Sequence, residues 1–137
     1  MKQIPCPCGS GKTYAACCSP FHKGLLPINA LQLMRSRYTA YVLNLPAYII
    51  QTTHLENPHY CQDLALWTRE ISTFSLQSQF KKLDILDFQE NQESATVTFV
   101  AHLSQNGQDA TFKEKSEFKK VEGRWLYFSG VVTHSNF

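Results

Sequence analysis

Four of the five cysteines fall within thirteen positions, at Cys6, Cys8, Cys17 and Cys18, with Cys61 far downstream. Nothing else in the 137 residues restricts the local fold as strongly. Two pairs of soft sulfur ligands stand on either side of a turn containing Gly9 and Gly11, and four thiolates suit the tetrahedral preference of zinc. The glycines let the backbone fold tightly over a metal and aim N–H groups at the sulfurs, while a short helix from Thr13 returns Cys17 and Cys18 to the first pair. His22 is a substitute ligand. Reduced buried thiols or a vicinal disulfide are the alternatives to metal. The expected occupant is one zinc ion per chain, with iron as the other choice. A closed four-cysteine shell has no open position for a water nucleophile, so such a metal is structural. Its net negative charge is offset by Lys2, Lys12 and Lys23.

Residues 1–24 are rich in Cys, Gly, Pro and Lys, contain no acidic residue, and form a small knuckle distinct from a domain over 25–137. With almost no apolar side chains of its own, the knuckle is expected to be separable from the core that follows. From Asn29, a plausible N-cap, Leu31, Met34, Tyr38, Tyr41, Val42 and Leu45 recur at helical spacing. Pro46 starts a second helix ending near His54, and Asn57-Pro58 opens a third that carries Cys61, Leu64, Trp67, Ile71 and Phe74. After Gln77 the period drops to two, over 80–89, 94–103, 111–121 and 125–133. Asn106-Gly107 and Glu122-Gly123 are hairpin turns. Three helices followed by an antiparallel meander is an α+β plan.

Bulk properties exclude more than they assign. A net charge of +2, with no Lys/Arg run longer than two, carries no nucleic-acid signal. No apolar stretch is long enough to cross a membrane and no secretory h-region follows Met1, which makes the cytoplasm the expected location. Gly11-Lys12-Thr13 resembles the end of a phosphate loop, but Cys6 stands where that motif needs its first glycine.

In the third strand Phe112, Glu114, Ser116 and Phe118 share one face, and Lys113, Lys115, Glu117 and Lys119 the other. Glu114 and Ser116 therefore turn towards the helices, with Arg35, Arg37, His54 and Trp125 available from elsewhere. A carboxylate there is either a base of raised pKa or half of a structural pair with an arginine or a hydroxyl. Tyr38, Tyr41 and Trp67 are spaced like core residues, His102 is expected to be exposed or at an edge, and Cys61 buried and inert.

Cys6-Pro7-Cys8-Gly9-Ser10-Gly11-Lys12, with Cys17-Cys18 nine residues after Cys8, resembles the SEC-C zinc motif found at the C-terminus of the bacterial preprotein translocase ATPase. Many such motifs end in Cys-His where this one has Cys17-Cys18. Leu33-Met34-Arg35-Ser36-Arg37-Tyr38-Thr39-Ala40-Tyr41, Thr53-His54, the run from Val97 to Ala101, Glu114, Ser116, Phe118 and Gly123-Arg124-Trp125 resemble the YchJ-like family of small bacterial proteins. The resemblance implies a SEC-C knuckle joined to a cone of the nuclear transport factor 2-like (cystatin-like) type, three helices on a curved antiparallel sheet, and implies no activity. Two functions follow as expectations: docking on a protein or ribosomal surface through the knuckle, or a small-molecule binder or isomerase/dehydratase-like enzyme using the cone. A cavity placing Glu114 beside a histidine or tyrosine favours the second.

Overall fold

In the computed structural model, which describes residues 4–134, Asn29 opens the first long helix. Its side-chain oxygen accepts from the Gln32 amide at 2.8 Å, and the helix runs Ala30–Val42 (α2). A four-residue helix precedes it, Ser19–His22 (α1). Pro46–Gln51 (α3) ends three residues before His54, because the Thr52 and Thr53 hydroxyls turn back onto the carbonyls of Tyr48 and Ile49 at 2.7 Å each. The last helix, Leu64–Gln77 (α4), starts later than Asn57-Pro58 suggests. Asp63 is its cap, accepting from Leu66 N at 3.1 Å, whereas Asn57 makes a tight turn by accepting from His59 N at 2.8 Å. Cys61 consequently lies in the connection before α4, half-buried rather than buried on a helix.

The strands are Ser78–Glu90 (β1), Ser94–Gln105 (β2), Gln108–Asp109 (β3), Phe112–Val121 (β4) and Arg124–His134 (β5). They form an antiparallel sheet in the order β1-β2-β4-β5, with the two-residue β3 beside β2. Both two-residue turns have positive φ at each position: 53° and 76° at Asn106 and Gly107, 51° and 80° at Glu122 and Gly123. That geometry matches the twist of the flanking strands. Irregularities between Phe80 and Lys82, Ile85 and Asp87, and Glu117 and Phe118 bend the sheet. His102 sits on the interior strand β2, half-buried, with Nε2 2.7 Å from Asp84 Oδ2.

Helix α2 is buried over more than one stripe, including Ser36, Arg37 and Thr39 beside Leu33, Met34 and Tyr38. It packs on β1, β2 and β5 as well as on α1, α3 and α4. One buried cluster joins Leu33, Met34, Val97, Phe118 and Trp125 to Cys6, Cys8 and Cys18. A second holds Ala40, Tyr48, Ile49, Trp67 and Ile71. The knuckle therefore shares its core with the cone, contrary to the separable packing that its composition suggests.

His22 fastens α1 to α2. Its Nε2 lies 2.9 Å from the Ser36 carbonyl, which only accepts, so Nε2 carries the hydrogen and Nδ1 accepts from the Tyr14 hydroxyl at 2.7 Å. Burial lowers its pKa. A histidine depressed in the fold contributes stability that is complete above the unfolded value of about 6.5 and is lost as pH falls below it. NMR titration should show His22 charging below that value, and the thermal midpoint should fall on acidification through it. A His22 resonance titrating above about 6.5 would contradict the assignment.

Candidate functional site

The knuckle begins as a hairpin: Pro5 bridges Thr13, and Cys6 N donates to Lys12 O at 2.9 Å. Gly9 and Gly11 take φ of 76° and 89°, which few other residues adopt. A single 3-10 turn, Tyr14–Ala16, capped by Thr13, replaces the short helix expected there and returns Cys17 and Cys18 to the first pair. The four sulfurs lie within 4.8 Å of one another. Cys8 to Cys17 is 3.6 Å and Cys17 to Cys18 is 3.9 Å, close to the edge of about 3.8 Å that a tetrahedron with zinc–sulfur bonds of about 2.3 Å requires. All five cysteines are free thiols, so the vicinal disulfide is absent. His22 is no ligand, since both ring nitrogens are engaged elsewhere.

The thiols are inequivalent. Cys18 beside Cys8, aided by the hydroxyl and amide of Ser10, drives Cys8 down to about 4 against the effect of burial. The same contact, with burial, pushes Cys18 up. A thiolate among close thiols suits a divalent cation, which displaces the remaining protons. The donor set, spacing and polarity therefore fit a structural metal held by Cys6, Cys8, Cys17 and Cys18. Lys12 and Lys23 are exposed, and Lys2 lies outside the described residues.

On the other side of α2, a cavity of about 340 Å³ opens between α2, α4 and the sheet. Its wall is aromatic, with Tyr38, Tyr41, Trp67, Phe74, Phe80 and Phe99 among its residues. Its polar lining includes Arg37, Glu70, Glu114, Ser116 and Tyr127. The Ser116 hydroxyl makes a very short hydrogen bond to Glu114 Oε2, and the Tyr127 hydroxyl donates to the same oxygen at 2.9 Å. Burial, then the neighbouring Glu114 charge, raises the Tyr127 pKa. Gly130 is paired with Ser116, and a Cβ there would collide with both Glu114 and the Tyr127 hydroxyl.

Arg37 is 8% exposed. Its Nη1 donates to Ile49 O at 3.0 Å and to the Thr52 and Thr53 hydroxyls at 2.7 and 3.2 Å, and the guanidinium carbon stands 4.6 Å from the Tyr127 ring centroid. It makes no ion pair among the described residues, so neither Arg35 nor Arg37 neutralises Glu114.

Of the residues singled out in the sequence, Arg37, Glu114 and Ser116 line this cavity, and Arg35, His54 and Trp125 do not. Arg35 is two positions from Arg37 and so points to another side of the helix, where Nη1 donates to Cys8 O at 2.8 Å. His54 turns its Nδ1 to Glu56 N at 2.9 Å and its ring to Phe128. Trp125 is 3% exposed within the knuckle-side cluster. Tyr127 is the residue that motif reasoning missed; alternation from Trp125 along β5 places it on the inner face.

Known proteins show the same two parts. Residues 4–20 match the SEC-C motif and residues 29–130 match the family described as YchJ, middle NTF2-like domain. A UPF0225 protein of Vibrio vulnificus is 37% identical over 129 residues, spanning 92% of this chain and 74% of the relative. The solution structure of a SEC-C motif containing protein from Rhodopseudomonas palustris superposes with a TM-score of 0.80 at 34% identity, over 93% of this chain and 98% of that one. A crystal structure of a SEC-C motif containing protein from Psychrobacter arcticus gives 0.75 at 23% identity, over 100% and 86%. The molecule is thus a SEC-C knuckle packed on an α+β cone of the NTF2-like type. Within that class the chain belongs to the YchJ-like family, whose relatives include the UPF0225 proteins. No described helix is long and apolar enough to cross a membrane.

Two predictions test this geometry. Protein prepared in reducing, chelator-free buffer should carry one metal per chain by elemental analysis, and Cys6→Ser with Cys8→Ser should both release it and lower the midpoint of the whole thermal transition, because these thiols share the main core. Loss of metal at an unchanged midpoint would show the knuckle to be energetically separate. Gly130→Ala should destabilise by about 1–3 kcal/mol in urea unfolding, since the methyl displaces Glu114 or Tyr127. A neutral effect would show that this pair has room to move.

Proposed function

We propose that this protein binds a small, largely apolar molecule in the cone cavity, and that the metal knuckle is the clamp that holds α2 in place. The observation that carries this reading is the cavity itself. Its volume of about 340 Å³ falls in the range of roughly 300–1,000 Å³ of small-molecule sites, and its aromatic wall is interrupted by a few convergent polar groups. Glu114 stands beside Tyr127 within it, and three of the four knuckle sulfurs are buried. In this reading the metal is zinc, held without an open coordination position, and the thiols belong in a reducing cytoplasm.

Docking of the knuckle on a protein or ribosomal surface is the second reading. It is favoured by Ile4, Leu25, Leu26 and Ile28, which are 67%, 60%, 50% and 76% exposed in and just after the knuckle.

Indole, an uncharged ring compound, should show saturation transfer from the protein in ligand-observed NMR. Ala101→Phe, which fills the cavity from β2, should abolish the transfer while circular dichroism stays unchanged. Equal transfer to a folded Ala101→Phe protein would remove the cavity as the binding site.

A further inference from the structure

We infer that the ligand of the cone cavity carries a carboxylate, that this group pairs with Arg37, and that its body is one or two apolar rings. The inference rests on the cavity being the binding site and adds the chemical class of its occupant. Arg37 is more than nine-tenths buried and lines the cavity. All three of its hydrogen bonds run through Nη1; Nε and Nη2 have no partner among the described residues. A guanidinium presents five donors in a planar fork that matches a carboxylate, and burying one without a counter-ion is costly.

The anion does not come from the protein. Two carboxylates line the cavity: Glu114 has its Oε2 occupied by the Ser116 and Tyr127 hydroxyls, Glu70 is exposed, and neither forms an ion pair with Arg37. Tyr38 and Tyr41 also line the space, and their hydroxyls have no hydrogen bonds among the described residues. Tyr41, one turn along the same helix from Arg37, is a further donor for anionic oxygens. The rest of the wall is ring-bearing and suits a flat apolar body. Glu114 and Glu70 set the limit on charge: a second anionic group would share the cavity with two carboxylates and one buried arginine, so a monoanion is accepted and a dianion refused.

Phenylacetate, phenylacetamide and phenylsuccinate, titrated into the full-length protein at neutral pH, separate the possibilities. Phenylacetate should bind at least about tenfold more tightly than the isosteric amide, and the dianion more weakly than phenylacetate. Arg37→Gln should bring acid and amide to within about twofold of each other. Should that variant fail to fold, the wild-type acid-to-amide ratio decides alone. Amide binding as tight as acid binding, with both abolished by Ala101→Phe, would overturn the carboxylate while leaving the cavity as a binding site. Failure of all three compounds and of indole to bind would overturn both.

Discussion

The buried guanidinium of Arg37 is the constraint around which the cone is arranged. It sits in the middle of α2, and its Nη1 gathers the Ile49 carbonyl with the Thr52 and Thr53 hydroxyls. A cation at that point complements the carbonyl end of α3. The chain leaving α3 is then laid along β5, with Tyr127 N donating to Thr52 O and His54 N to Tyr127 O, both at 2.8 Å. Tyr127 in turn covers the guanidinium with its ring and gives its hydroxyl to Glu114. One side chain thus links α2, α3, β5 and the polar end of the cavity.

The opposite side of α2 is closed by the knuckle, and the small polar residues of the helix explain how a helix can be covered so widely. Ser36 is fully buried, yet its hydroxyl has two partners, the Leu33 carbonyl at 2.9 Å and the Tyr48 hydroxyl at 2.7 Å. Thr39 lies 3.7 Å from the sulfur of Cys6. Short side chains allow close approach and their hydroxyls remain satisfied, so burial carries no unpaired polar group. Arg35 and His22 reach across the junction from either side. A metal that orders four thiols in this position orders one flank of the main core as well.

Much of this was legible in the residues, and what was not has physical causes. The cysteine spacing, the Asn29 cap and the two turn dipeptides are local signals, and local signals survive into the fold. The start of α4 was misplaced because Asn-Pro also makes a tight turn, and only the contact of Asn57 with Phe128 O at 2.8 Å shows which use prevails. Strand alternation correctly aimed Glu114 inward, but it could not choose the partner, because that depends on which strand lies beside β4 and where the irregularity near Glu117 falls. Tyr38, Tyr41 and Trp67 have the spacing of core residues and do face the interior; whether an interior is filled or hollow is a property of the assembled volumes, not of any one segment.

Arg37 and the carboxylates of Glu114 and Glu70 line the hollow without forming an ion pair. Arg37 and Glu114 share one cavity, and a direct ion pair between them would satisfy both and draw α2 towards β4. Each instead has its own neutral partners. Carbonyl and hydroxyl groups of the α3 end anchor the guanidinium, while Ser116 and Tyr127 anchor the carboxylate over Gly130, where a Cβ would push it away. The NTF2-like likeness accounts for a cone but not for this arrangement, since the same architecture serves unrelated functions. Neutral donors and acceptors thus hold a buried cation and a carboxylate around the same cavity without joining them.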